Sequence, residues 1–317
     1  MAKIDRVSGL SDERLAPVNG IELAYQEIGE EDGEPLLLIM GLATQMLAWD
    51  EGFCELLAER GFRVVRFDNR DIGHSTKVDS AGLPKRADML LGWRRTAPYL
   101  LSDMADDTTG LMDHLGIESA HLVGASMGGM IAQTVAIRRP QRVRSLVSMM
   151  STTGSRWLGL PTWKALGTLF AQPGGGREAA IEHTVKVFRT IGSPGYPMDE
   201  VHFRKLAAAS YDRSHGRAGV ARQLHAITAS GDRTAALRKL RLPATVLHGG
   251  SDPLIRPLAG RATARAIPGS HLRVFKGMGH DLPHELWPDF VEEIDKTAQR
   301  FGPTNSSSLA TSALRET

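Results

Sequence analysis

The pentapeptide Gly124-Ala125-Ser126-Met127-Gly128 sets a serine between glycines, directly after the apolar run Ala120 to Val123 and ahead of a helix-like stretch rich in small residues. In a strand-turn-helix setting this pattern is a nucleophile elbow: the hydroxyl stands on a sharp, strained turn, and the glycines let strand and helix backbones close on one another. A hydroxyl is a weak nucleophile until a base takes its proton, and the base needs a third group to fix its tautomer. Both residue types follow the serine, in the chain order such elbows require. Asp252 lies in His248-Gly249-Gly250-Ser251-Asp252-Pro253, after the apolar Ala244 to Leu247. His280 lies in Lys276-Gly277-Met278-Gly279-His280-Asp281, after Leu272 to Phe275. Each is thereby placed beyond the carboxyl end of a strand, the edge at which open parallel sheets gather ligands and reacting groups.

Attack on a carbonyl creates an oxyanion that needs two fixed donors, one from the residue after the serine and one from the loop after an earlier strand. The expected donors are the backbone N–H groups of Met127 and of Leu42, the latter in Met40-Gly41-Leu42 after Pro35 to Ile39. Losing one such donor would cost ~3 kcal/mol of transition-state stabilisation. Blander readings stand beside these. Asp252 can cap the helix after Pro253, Asp281 reads as a helix cap beside His280, and His248 reads as hydrogen-bonded support within a strand terminus. The sequence holds no H-E-x-x-H, no cysteine pair and no G-x-G-x-x-G or P-loop after a strand, so neither metal nor cofactor is expected. Its single cysteine, Cys54, sits among Phe53, Leu56 and Leu57 and reads as a buried thiol with no disulfide partner in the chain.

The elements that must position these residues follow from apolar periodicity. Strands are expected at 21–29, 35–40, 62–68, 120–125, 145–150, 244–249 and 272–277. Several are apolar throughout, as strands covered on both faces must be. Helices fit at 49–60, 102–115, 127–138, 259–266 and 283–300. The alternation signals an α/β chain with a mostly parallel sheet flanked by helices. It lapses between 153 and 240, where helix-like stretches at 177–191, 200–211 and 220–229 indicate a helical cap. The chain thus divides into a core domain, 1–152 and 241–302, that cap at 153–240, and a small, polar C-terminal tail at 303–317 expected to be flexible.

The 317 residues are 42% hydrophobic with a net charge of +2, enough for a large core and too balanced to attract polyanions, so nucleic acid is not an expected partner. No early apolar stretch has the form of a secretory signal, and no apolar run is long enough to span a bilayer, so the expected location is the cytoplasm.

The elbow, with Phe67-Asp68-Asn69-Arg70-Asp71-Ile72-Gly73-His74-Ser75, the Asp252 segment and the His280 segment, resembles the α/β-hydrolase superfamily over roughly residues 20–300. Met40-Gly41, where His-Gly is more usual, together with Gly-Met-Gly-His-Asp-Leu-Pro, is similar to bacterial carboxylesterases of the aclacinomycin methylesterase type. The resemblance implies the α/β-hydrolase fold, with an eight-stranded sheet and a helical cap over the active site, and makes 68–75 a structural turn beside the pocket. It also implies a serine hydrolase of carboxylic esters, acting through an acyl-enzyme on a small to medium apolar or aromatic small-molecule substrate. Carbon–carbon bond hydrolysis and cofactor-free perhydrolysis run on similar triads and remain alternatives. A non-catalytic receptor that keeps the fold is a further one. Trp157, Leu158, Trp163, Phe170, Met198 and Tyr211 can line an apolar pocket, although packing within the cap is the plainer expectation for each. The oligomeric state is left open.

Overall fold

The computed structural model describes residues 9–171 and 175–302, so the expected tail at 303–317 lies outside the described residues. The chain begins with β1 (Arg14–Val18), β2 (Ile21–Ile28) and β3 (Glu34–Ile39), then α1 (Glu51–Ala58) and β4 (Phe62–Phe67). Next come α2 (Arg86–Leu91), α3 (Leu101–His114), β5 (Ala120–Ala125), α4 (Met127–Arg138) and β6 (Val143–Met149). Five helices separate β6 from the next strand: α5 (Trp163–Phe170), α6 (Arg177–Ile191), α7 (Glu200–Arg213), α8 (Ala218–Ser230) and α9 (Thr234–Leu237). The chain then forms β7 (Ala244–Gly249), α10 (Pro257–Ala266), β8 (His271–Phe275) and α11 (Trp287–Gln299).

The eight strands make one sheet in the order β1-β2-β4-β3-β5-β6-β7-β8. It is mostly parallel; only β2 runs against its neighbours, pairing antiparallel with both β1 and β4. Side chains of a strand alternate between faces, and β3 shows where each face is covered. Leu37 and Ile39 join a cluster with Leu111 and Met112 of α3 and Ile131 and Val135 of α4. Leu36 and Leu38 join the opposite cluster with Phe53 and Leu57 of α1 and Phe290 and Ile294 of α11. Strands covered on both sides have no solvent face, which is why β5 is buried at every position. Cys54 is buried in the second cluster, and burial pushes its thiol up to about 12.

The expected ranges differ from the structure at β1, α2, α5, α9 and the start of α11. β1, which no expected range covered, has only Ala16 and Val18 buried and holds Pro17 opposite Glu22 of β2. A proline fits there because β1 is an edge strand with one neighbour. The short helices α2 and α5 lie in stretches that carried no expected element. The helix expected at 283–300 starts as a single 3-10 turn at His284–Leu286, with α11 proper beginning at Trp287. Between β6 and β7 the described residues form helices and no strand, and Leu237 of α9 packs into the cluster beneath α4.

Candidate active site

Ser126 is the residue between β5 and α4, with φ of 56° and ψ of −117°, a region side-chain-bearing residues rarely occupy. The turn is enforced on every side. A Cβ on Gly124 would meet the Gly128 carbonyl oxygen at 2.2 Å, one on Gly128 the Ile39 carbonyl oxygen at 1.9 Å, and one on Gly129 the Ser151 Cβ at 2.6 Å. Helix α4 can therefore lie against β3 and β5 only because these residues lack side chains. Three hydrogen bonds hold the serine backbone: its N–H donates to the Met149 carbonyl at 2.9 Å, and its carbonyl accepts from Ser151 Oγ at 2.7 Å and from the Met130 N–H at 3.3 Å.

The structure brings Ser126, His280 and Asp252 together. His280 Nδ1 donates to Asp252 Oδ2 at 2.7 Å, which leaves Nε2 facing Ser126 Oγ at 3.1 Å as acceptor. The carboxylate and imidazole are buried, shielding their pairing from water. The other Asp252 oxygen accepts from the N–H groups of Leu254 at 2.8 Å and Ile255 at 2.9 Å. Asp252 thus makes the local turn bonds of the blander reading and holds the histidine as well. His248 is support: Nε2 donates to the Ile255 carbonyl at 2.7 Å, and burial pushes its imidazole below the usual histidine range.

Met127 is the first residue of α4, so its N–H falls among those that an α-helix leaves without an internal partner. Leu42 follows Gly41, whose missing Cβ would sit 3.2 Å from Ser126 Cβ, so the loop after β3 passes directly beside the serine. Asn69 Nδ2 donates to the Met40 carbonyl at 3.0 Å, and Gln223 Oε1 of α8 accepts from the Ala43 N–H at 3.1 Å. These two bonds bracket the segment that carries Leu42.

Sequence reasoning missed Gln223, and it also missed Ser193. The His280 loop is tied to the turn after α6: His280 N–H donates to the Ile191 carbonyl at 2.7 Å, Gly279 N–H to Ser193 Oγ at 2.8 Å and Gly195 N–H to the Gly277 carbonyl at 2.9 Å. Ser193 Oγ in turn donates to Asp281. Asp281 is therefore not a helix cap; it anchors this turn, and burial pushes its carboxyl above the usual carboxylate range. Asp68 sits fully buried at the centre of the 68–75 turn. It accepts from Met46 N–H at 2.7 Å, His74 N–H at 3.0 Å and Arg213 of α7 at 2.9 Å. Trp157 and Trp163 line no interior pocket, being 87% and 89% exposed. Tyr211 stacks on His215 with ring centroids 4.2 Å apart.

A serine at the end of the middle strands, a histidine and a carboxylate from two further strand ends, and helices on both faces define an α/β hydrolase. The chain belongs to the α/β-hydrolase fold family, whose profile matches residues 34–285. It is 28% identical to the rhodomycin D methylesterase of Streptomyces sp. (strain C5) over 85% of this chain and 92% of that protein. It is also 27% identical to the 2-hydroxymuconate semialdehyde hydrolase of Pseudomonas sp. (strain CF600), over 84% of this chain and 89% of that one. The crystal structure of the enol-lactonase from Burkholderia xenovorans LB400 superposes with a TM-score of 0.66 at 24% identity, covering 90% of this chain and 99% of that one, and so shares its fold.

Proposed function

We propose that this chain is a serine hydrolase of the carboxylesterase type that cleaves a small to medium apolar or aromatic ester, with Ser126, His280 and Asp252 as its catalytic triad. The observation that carries the proposal is the hydrogen-bonded line from Asp252 through His280 to Ser126, assembled from three separate strand ends. Ser126 Oγ attacks the ester carbonyl carbon as His280 Nε2 takes its proton, and Asp252 stabilises the imidazolium that results. The carbonyl oxygen becomes an oxyanion, held by the backbone N–H groups of Leu42 and Met127. His280 returns the proton to the departing alkoxide, which leaves as an alcohol. Water, deprotonated by the same histidine, then attacks the acyl-enzyme and releases the carboxylic acid and free Ser126.

Residues 153–240 serve as the cap over this site, with 1–152 and 241–302 as the core. The methylesterase relative favours an ester with a small alcohol part. The semialdehyde hydrolase relative supports a second reading, carbon–carbon bond hydrolysis on the same residues. The test is a panel of methyl and short aryl esters set against ring-cleavage dienoates, with the purified protein and Ser126→Ala. Faster turnover of the esters is expected, together with a loss on the order of 10⁴-fold or more in the variant. Preferred turnover of the dienoates would establish the second reading, and full ester hydrolysis by Ser126→Ala would end both.

A further inference from the structure

Around the segment that leads from β6 into α5 the described residues expose several large apolar side chains. Trp157 and Trp163 stand almost wholly in solvent, beside Leu158 and Leu160 of the same segment and Leu91 and Trp93 at the end of α2. These segments are joined. Arg156 donates to the Leu91 carbonyl at 2.9 Å, and Thr162 N–H donates to the Pro253 carbonyl at 2.8 Å. Gly159 packs so closely on α10 that a Cβ there would meet Ala259 Cβ at 2.5 Å.

The same face is cationic. Exposed Arg94, Arg95, Arg156, Lys164, Arg256 and Arg261 border the apolar side chains. The stretches that carry these groups, 89–98, 152–171 and 253–266, contain no aspartate or glutamate, although acidic residues make up about one residue in nine of the chain. With a net charge of only +2 overall, the rest of the surface must carry the opposing negative charge. The chain is therefore polarised, with its uncovered tryptophans on the positive side.

We propose that this face docks reversibly on a bilayer rich in anionic phospholipid, the indoles and leucines entering the interfacial layer and the arginines and lysine meeting lipid phosphates. Three observations select that occupant. Tryptophan beside arginine and lysine is the composition suited to the boundary between acyl chain and headgroup. A second copy is disfavoured, because a two-fold interface apposes a patch with itself and would set this cationic rim against its own like charges. A nucleic acid strand is disfavoured because four of the exposed apolar side chains here, Leu91, Leu158, Leu160 and Leu258 at the start of α10, are leucines, which offer no flat ring for a base to stack on. No described helix is long and apolar enough to cross a membrane, so the association is peripheral.

The test is flotation of the full chain with vesicles of phosphatidylcholine alone and with phosphatidylglycerol added, read alongside tryptophan emission. Binding to the anionic vesicles with a blue shift is expected, weakening as salt rises. Trp157→Ser/Trp163→Ser should remove most of the shift, leaving the share of Trp93, and most of the binding. Arg94→Glu/Arg95→Glu should weaken binding by about tenfold or more. All these side chains are exposed, and far-ultraviolet circular dichroism with retained ester hydrolysis in solution checks that the variants fold. The proposal is overturned by absence of binding to anionic vesicles at low salt, or by binding that both double variants retain. It is equally overturned if the tryptophan variant abolishes a dimer of the free protein, or oligonucleotide binding, while lipid binding is absent.

Discussion

At the scale of single residues, the proposed chemistry depends on side chains that never meet a substrate. Ser193 is the clearest, since its hydroxyl accepts from Gly279 N–H on the residue before His280 and donates to Asp281 on the residue after it. Ser193→Ala removes both bonds and leaves a part-buried carboxyl and an amide without this partner. The imidazole then samples positions off the line between Ser126 and Asp252. We expect kcat to fall about tenfold with KM little changed, and Ser193→Thr to restore most of it, because geometry lost near a reacting group costs rate before binding. Loss confined to thermal stability, with kcat intact, would reduce Ser193 to a structural tie. Asp252→Asn tests the partner on the other side of the ring. An amide can present its NH₂ to Nδ1 and stabilise the wrong tautomer, so a fall on the order of 10⁴-fold in kcat is expected, with the fold retained. A fall of less than tenfold would show that the histidine is oriented by something else.

At the scale of elements, the helices between β6 and β7 do more than roof the sheet. Helix α8 sends Gln223 down to the core, where it accepts from Ala43 N–H and donates to the Arg70 carbonyl at 2.9 Å, and Arg222 alongside it pairs with buried Asp71 at 2.6 Å. The loop carrying Leu42 is thus braced from a helix some 180 residues away. Gln223→Met keeps the volume and removes both bonds. The expected result is a several-fold loss of kcat for activated esters and a cost of about 1–3 kcal/mol in stability from the orphaned groups. An unchanged kcat would mean that the Leu42 loop holds itself. Such braces explain what could be read in the chain and what could not. Strands β2 to β8 lie within a residue or two of where the apolar runs place them, most plainly β3 to β7, whose burial on both faces leaves an uninterrupted signature. β1, half exposed and holding Pro17, leaves no such run. Ser126, Asp252 and His280 stand out because glycines frame each of them at a strand end. Ser193 and Gln223 sit in no motif, and they act through backbone groups that only the folded chain brings near.

At the scale of the whole molecule, the sheet itself carries a titration. His121 on β5 and His248 on β7 are both buried in the strands, and burial is the largest cause holding each imidazole below its ordinary value. His121 is only partly compensated by Glu34 at 2.9 Å, and its Nδ1 is paired with Ser145 Oγ at 2.8 Å. A histidine held neutral in the fold and released to about 6.5 on unfolding makes the unfolded chain the better proton binder. Its contribution to stability is therefore complete above about pH 6.5 and is lost as the pH falls through that value toward the depressed folded one. Thermal unfolding followed from pH 8 to pH 5 should show a melting temperature that is level at the alkaline end and declines below about 6.5. Replacing His121 by Gln, which keeps a polar group for Ser145 and cannot charge, should flatten part of that decline even if it lowers the plateau. A slope that the substitution leaves untouched would assign this step to His248, since the carboxylates that tie the helices to the core act at lower pH. Asp71 is the foremost of these: Arg222, Tyr99 and the Val78 N–H together outweigh its burial and hold it below the usual carboxylate range, so its contribution fails only in more acid solution. The two losses occupy separate pH windows. The histidine step should therefore appear first, while α8 is still bound to the sheet.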